Sequence, residues 1–354
     1  MSLSPDRWRA VVRGTARDPA AIALRPLLWA ARLPYGAGAW WRNRRFDRGR
    51  DVHRAGVPVV SIGNLTVGGT GKTPCVEYVA RLLREHELRV AVLSRGYGVE
   101  AGRNDEAMVL EENLPDVPHY QGRDRVELAR TAVGESESEV LVLDDGFQHR
   151  RLARDLDVVL IDATDPWGSG YLLPRGGLRE PKRSLRRAGL AVLTRCDAVE
   201  PAAIADIESE VWRIAPNVPV VKTIHAPLEL LNGQGREEPA ALRGRPVGAF
   251  CGIGNPEAFR RTLTDLGADV RDFRSYADHH PYTRPDVDDL RIWAAGLPAD
   301  AWVVTTQKDW VKLRLADLGG RPLWAVRVGL QFTDGKDVFD RAVLQAARAP
   351  VAES

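Results

Sequence analysis

Six consecutive residues, Gly68-Gly69-Thr70-Gly71-Lys72-Thr73, carry the clearest chemistry in the chain. Glycines let successive backbone N–H groups turn toward an anion, and a helix starting at the lysine adds the positive end of its dipole. A lysine so placed reaches the β- and γ-phosphates of a nucleoside triphosphate, and the hydroxyl after it ligates Mg²⁺. Lys72 and Thr73 are those two residues, and Gly68, Gly69, Thr70 and Gly71 form the cradle. The general phosphate-loop pattern has a further glycine where this chain has Thr66, with Gly63 standing just earlier. Only six of the fifty basic residues are lysines, so a lysine centred in a glycine loop is hard to ascribe to chance. A bound metal also needs an acid at the end of a neighbouring strand. Glu139-Val140-Leu141-Val142-Leu143-Asp144-Asp145 supplies it, and either Asp144 or Asp145 could hold Mg²⁺. Adjacent carboxylates repel unless a cation lies near, which favours that reading over two loop acids capping a turn.

These residues need a scaffold. Val57-Pro58-Val59-Val60-Ser61-Ile62 is a short apolar run before the loop, and Val76, Val79, Ala80 and Leu83 share one helical face after it. Further apolar runs at 89–93, 139–143, 157–161 and 190–193 alternate with helical patterns. The fold class expected is α/β, a P-loop NTPase-type mostly parallel sheet with helices on both faces. Residues 47–225 would form this nucleotide-binding domain. A Pro-, Gly- and charge-rich stretch, 226–245, reads as a linker and hinge. Residues 246–348 would form a second, smaller α/β domain, with strands near 247, 301–305 and 323–328 and helices near 256–266 and 337–347.

Composition narrows the setting. Hydrophobic residues are 44% and charged ones 28% of 354, enough for sizeable cores and unlike a disordered chain. Three scattered cysteines suggest packing roles in a reducing compartment. No apolar run suits a bilayer span, and Asp6, Arg7, Arg9 and Arg13 interrupt any signal-peptide core. The net charge of +2 conceals a basic N-terminus: residues 1–50 hold eleven Arg and three Asp. Within 20–46, Leu24, Leu27, Leu28, Trp40 and Trp41 stand beside Arg25, Arg32, Arg42, Arg44 and Arg45, a mixture suited to amphipathic helices at a membrane interface. Pro26 and Pro34 are expected to break this segment into short pieces. The alternative is a pair of helices packed on the body with solvated arginines. Neither nucleic acid nor a protein partner is expected.

Longer signatures add a family. Ser61-Ile62-Gly63-Asn64-Leu65-Thr66-Val67-Gly68-Gly69-Thr70-Gly71-Lys72-Thr73-Pro74 resembles the phosphate loop of the tetraacyldisaccharide 4'-kinases, the lipid A 4'-kinases. So do Ser94-Arg95-Gly96-Tyr97-Gly98, Asp144-Asp145-Gly146-Phe147-Gln148-His149 and Leu173-Pro174-Arg175-Gly176-Gly177-Leu178-Arg179-Glu180-Pro181. Phe250-Cys251-Gly252-Ile253-Gly254-Asn255-Pro256, Asp278-His279-His280-Pro281-Tyr282 and Thr305-Thr306-Gln307-Lys308-Asp309-Trp310 follow in the family's order. The departure at Thr66 is the family's own form.

The resemblance implies transfer of the ATP γ-phosphoryl group to the 4'-hydroxyl of a tetraacylated glucosamine disaccharide 1-phosphate. The product would be lipid IVA, and the chain would sit at the cytoplasmic face of the inner membrane. The basic, tryptophan-bearing segment would then meet anionic lipid. It also implies a base, Asp105, in Asn104-Asp105-Glu106, a degenerate form of the family's Gly-Asp-Glu block, with His279 as orienting partner and His280 as competitor. Arg175, Arg179 and Glu180, in a Gly- and Pro-rich loop after a strand, are expected to face substrate. Lys308 and Asp309 carry a match without a derivable role, and Thr194-Arg195-Cys196-Asp197 reads as structural or purine-proximal. Two other classes remain open. A P-loop GTPase or metallochaperone switch would turn over nucleotide without an acceptor, and a soluble small-molecule kinase would leave the N-terminal segment unexplained. If Asp105 preceded and His279 followed a hinge, domain closure would assemble the pair.

Overall fold

The computed structural model describes residues 5–96 and 105–349. Tyr97, Gly98 and Asn104 of the family-like blocks lie outside the described residues. In chain order come helices α1 (Pro5–Arg13) and α2 (Pro19–Asp47), strand β1 (Val59–Asn64), α3 (Lys72–Glu85), β2 (Val90–Ser94) and α4 (Asp105–Asn113). Next are β3 (His119–Gln121), α5 (Arg125–Glu135), β4 (Val140–Asp144), β5 (Leu156–Asp162), β6 (Leu190–Thr194), α6 (Pro201–Ile214), β7 (Val220–Asn232) and β8 (Gly235–Glu237). The remainder holds β9 (Pro246–Cys251), α7 (Pro256–Asp265), β10 (Asp269–Ser275), α8 (Arg284–Ala295) and β11 (Trp302–Thr306). It closes with α9 (Gln307–Leu313), β12 (Asp317–Leu318), β13 (Arg321–Asp334) and α10 (Lys336–Ala347).

The chain divides into two compact units that interleave in sequence. The first comprises 1–95, 117–224 and 331–354; the second comprises 96–116 and 225–330. In the first, strands run in the order β7-β6-β5-β1-β4-β2-β3 and pair in parallel. β1 is central and buried at every position, as its near-continuous apolar run requires in a sheet covered on both faces. The register Ile62↔Asp144 sets the end of β4 beside the strand that feeds the glycine loop. One face packs around Leu65, Phe147, Leu185 and Val211, another around Leu93, Ala129, Leu141 and Leu152. α10 returns to this unit, where Phe339 and Phe332 meet the ring of Tyr78.

The second unit orders its strands β10-β9-β11-β13-β7, with β10, β9, β11 and β13 parallel. Phe250, Leu290, Trp293 and Val311 fill one core cluster, and α4 joins it through Val109. Here the expected boundaries need correction. The stretch 226–245 is no free linker. β7 carries the chain straight into the second unit, and β8 folds back on it with Asn232 opposite Gly235. Gly233 and Gln234, inside the stretch read as a linker, are the tip of that hairpin. The expected nucleotide-binding domain, 47–225, also loses 96–116 to the other unit, because α4 buries Ala107, Val109 and Leu110 there.

A second correction concerns the N-terminus. Pro26 and Pro34 lie inside one continuous 29-residue helix, α2, capped by Asp18, whose side chain accepts from Ala21 N. Each proline removes one backbone donor, and packing offsets the loss. Tyr35 Oη donates to the Arg179 carbonyl at 3.0 Å, and Arg150 binds the Asn43 carbonyl and the Asp47 carboxylate. Among the described residues no helix is long and apolar enough to cross a membrane.

Candidate functional site

The glycine loop read as a phosphate cradle lies between β1 and α3. Gly68 and Gly71 hold φ of +117° and +89°, conformations that favour glycine, and a side chain built at Gly68 or Gly69 would meet open space. The loop is braced from behind. Thr194 Oγ1 donates to the Thr70 carbonyl at 3.0 Å, and Arg195 Nη2 donates to the Gly69 carbonyl at 2.7 Å while pairing with Asp162. In a trans peptide the N–H points away from its carbonyl. The N–H groups of Thr70 and Gly71 therefore face away from Thr194 and Arg195. The Thr194-Arg195 pair holds the loop in shape.

The two acids differ. Asp144 ends β4 in register with Ile62, whereas Asp145 takes a left-handed φ of 52°. Arg179 Nη1 lies 2.8 Å from both oxygens of Asp145, and Lys72 Nζ lies 3.5 Å from Oδ1. Burial would raise the Asp145 carboxyl, but Lys72 and Arg179 outweigh it and hold it below its ordinary value. The turn after these acids admits only glycine: a Cβ at Gly146 would fall 2.6 Å from Ser61 Oγ. Gly63 is similarly pressed, since a Cβ there would lie 2.7 Å from the Phe147 backbone nitrogen. The Asp-Asp-Gly-Phe run and the start of the loop are therefore fitted against each other.

The loop holding Arg175, Arg179 and Glu180 runs beside residues 65–67, with Arg179 N donating to Leu65 O and Val67 N to Gly177 O. Glu180 turns fully inward, while Arg175 and Arg179 stay partly exposed and engage partners within the protein. Arg179 holds Asp145, and Arg175 donates to the Val12 carbonyl of α1 at 2.8 Å. Glu180 has no exposure and is met by Asn43 at 2.7 Å, Arg187 at 3.0 Å and Arg42 at 3.5 Å. That network fastens α2 to the body. Glu180→Ala would leave Arg187 and Asn43 facing a void, and we expect a loss of about 3–5 kcal/mol in unfolding free energy, read by chemical denaturation. A stability equal to that of the parent would contradict the anchoring role.

The expected base and its partner lie together in the second unit. Asp105 opens α4, and His279 Nδ1 is 3.0 Å from its Oδ2. His279 adopts φ of 61°, held by its own N–H on the Gly252 carbonyl. His280 is occupied elsewhere, stacked on Tyr276 and 3.1 Å from Asp286, so His279 is the histidine that meets Asp105. Both members are inside one unit, so forming the pair requires no closure of one unit on the other; the hinge expectation fails at this point. Lys312 escaped the sequence reading, and Lys308 carried a match there but no role. Lys312 Nζ lies 2.7 Å from Asp105 Oδ2, and Lys308 Nζ 2.7 Å from Glu106 Oε1. Their spacing of four on α9 was the available signal. Burial would raise Asp105, yet His279 and Lys312 bring it below its ordinary value. His279 is raised by its bond to Asp105. Asp309, without exposure, accepts from Gly252 N and Thr306 Oγ1 and so ties the α9 start to the His279 loop.

A glycine cradle at the start of a helix, one lysine on it and a strand-end acid pair beside it, in a parallel sheet, define a P-loop nucleotide-binding protein. The donor set suits Mg²⁺ carried on a nucleotide: one hydroxyl, Thr73, and hard carboxylate oxygens from Asp144 or Asp145. The profile described as tetraacyldisaccharide-1-P 4'-kinase matches residues 24–348, and the chain belongs to that family. It is 46% identical over 347 residues to the tetraacyldisaccharide 4'-kinase of Anaeromyxobacter dehalogenans (strain 2CP-C), covering 91% of this chain and 90% of that one. The protein of the same name from Syntrophus aciditrophicus (strain SB) is 39% identical over 362 residues, covering 94% and 95%. Among solved structures, the "apo" form of LpxK from Aquifex aeolicus in complex with ATP is similar, with a TM-score of 0.74 and 31% identity. It covers 91% of this chain and 99% of that one. The chain is a kinase, and the GTPase switch is not favoured.

Proposed function

We propose that the chain transfers the γ-phosphoryl group of ATP to the 4'-hydroxyl of tetraacyldisaccharide 1-phosphate, giving lipid IVA. The observation that carries the acceptor half is the Asp105 carboxylate, ionised and fixed by His279 and Lys312. The acceptor oxygen forms a bond to the γ-phosphorus as the bond to the β-phosphate oxygen breaks. ADP leaves, and the hydroxyl proton passes to Asp105. A carboxylate held below its ordinary value is a weaker base. Phosphoryl transfer through a loose transition state asks mainly for orientation of the hydroxyl, which such a carboxylate supplies. Lys72 and the backbone N–H groups of residues 68–73 hold the phosphates, and Thr73 with Asp144 or Asp145 would hold Mg²⁺. The metal, when bound, would neutralise negative charge on the phosphates. Incubating the purified chain with Mg-ATP and the disaccharide 1-phosphate in detergent, then locating the new phosphate, tests the reading. Nucleotide hydrolysis that ignores the acceptor, or a preference for GTP, would sink it.

The acceptor is a lipid, and α2 offers a surface for the bilayer. Ile22, Trp29, Leu33 and Trp40 recur at intervals of seven, four and seven, one stripe of a helix, and all are about half exposed. Trp41 and Leu27 flank it, while Arg44 and Arg45 lie over the rings of Trp40 and Trp41. This supports peripheral attachment at the cytoplasmic face of the inner membrane. Trp29→Ala with Trp40→Ala should weaken co-sedimentation with vesicles containing anionic lipid by at least about tenfold, on the scale of two lost apolar side chains. Turnover of acceptor in detergent should change far less. Undiminished sedimentation would remove α2 from the membrane role.

A further inference from the structure

The surroundings of Asp105 hold more than a two-residue pair. Its neighbours come from three segments. Glu106 follows it on α4; Lys308, Asp309 and Lys312 come from α9; and the loop after β10 brings His279 with Asp278, whose Oδ1 is 3.9 Å from His279 Nε2. Both cationic donors converge on one atom. His279 Nδ1 and Lys312 Nζ stand 3.0 Å and 2.7 Å from Oδ2, and among the described residues no hydrogen bond or ion pair to Oδ1 accompanies them.

Lys312 is unusual for a lysine because its side chain is only 8% exposed. It also donates to the His280 carbonyl at 3.1 Å and sits 3.7 Å from Asp309 Oδ1, with the Tyr282 ring 5.6 Å away. Asp309 shares its other oxygen between Gly252 N and Thr306 Oγ1. Gly252 in turn fixes His279 through its carbonyl. A Cβ at Gly252 would fall 3.1 Å from Asp309 Oδ1 and 3.2 Å from the Ala277 carbonyl, so this joint stays tight. One buried carboxylate, Asp309, therefore sets where both donors stand.

We propose that Lys312 is a positioning residue for phosphoryl transfer: with His279 it holds Asp105 Oδ2, so that Oδ1 is the oxygen presented to the acceptor hydroxyl. The proposal rests on the reading of Asp105 as the proton acceptor. Lys312 touches no reactant and acts through the carboxylate. It keeps that carboxylate charged in a partly desolvated place and fixes its plane, and a small misplacement of such a group is costly.

The test uses the full chain in the detergent assay at saturating Mg-ATP, with pH profiles for the parent, Lys312→Met, Lys312→Arg and Asp105→Asn. Lys312→Met should lower kcat on the order of tenfold or more and leave the KM for ATP unchanged. The acid limb of kcat/KM should move to higher pH, because a carboxyl that loses a cation protonates more readily. Lys312→Arg should restore the acid limb and part of kcat. If melting shows Lys312→Met unfolded, Lys312→Gln keeps a donor for the His280 carbonyl and is judged by the same two readouts. A neutral variant with the parent's kcat and acid limb, beside an inactive Asp105→Asn, overturns the Lys312 role alone. An Asp105→Asn protein near parental activity overturns the base reading instead.

Discussion

Lys72→Met is expected to lower kcat/KM by roughly 10²–10³-fold, the cost of removing one preorganised cation from developing phosphoryl charge. In this structure Lys72 is neither on the surface nor sealed in: its side chain is 16% exposed, and its one described ion pair is the 3.5 Å contact with Asp145. Methionine keeps the aliphatic stem and removes the charge. Asp145 then keeps Arg179, at 2.8 Å from both its oxygens, so the carboxylate is not left bare. Melting temperature should therefore stay close to the parent's while catalysis collapses. If Lys72 acts on the transition state, kcat falls with kcat/KM; if it only binds nucleotide, KM for ATP rises alone. A Lys72→Met protein with parental kcat would refute the donor half of the mechanism.

Asp105→Asn should lose roughly 10²–10⁴-fold in kcat, the range typical of a removed general base. ATP affinity should survive, since the cradle residues are in the first unit and Asp105 in the second. The charge state can be followed directly. Asp105 has a lowered folded value, so its stabilising contribution is full above the unfolded carboxyl value near ~3.9 and fades as pH falls through the lower folded one. His279 has a raised folded value, so its contribution is full below about 6.5 and is lost as pH rises through the higher folded one. The pair is complete only between these limits. In Asp105→Asn the largest influence raising His279 disappears, and its titration, followed by NMR, should move down to or below the ordinary histidine range. An unmoved His279 titration would mean that the 3.0 Å contact does not persist in solution.

Much of the donor half was legible from residues alone. Local rules fix a glycine loop between a buried strand and an amphipathic helix, and the observed β1 and α3 differ from the expected runs by a residue or two. The Asp105–His279 pairing was suggested only through resemblance, because an aspartate in a polar run has no local signature of its partner. Lys312 was missed for the same reason. Nothing in Gln307-Lys308-Asp309-Trp310-Val311-Lys312 says which lysine is 8% exposed. Residue type alone does not tell a buried ion network from a substrate-facing one, so the burial of Glu180 could not be read from the sequence. The structure turns Glu180 fully inward, onto α2.

The sequence by itself determined the fold class, the glycine loop before α3, the acids at the end of β4 and the family, since each is written in residue types at fixed short spacings. Only the tertiary structure decided which unit each residue serves. Helix α4 crosses to the second unit because its apolar positions are buried there, 174 positions in sequence before His279. The same holds for α2, whose prolines argued for a break; contacts with Arg150, Arg179 and Glu180 keep it whole. Propensity and spacing act over a few residues, whereas burial and charge pairing join segments hundreds of positions apart. The partners of Asp105 and the continuity of α2 were settled by the second kind of force.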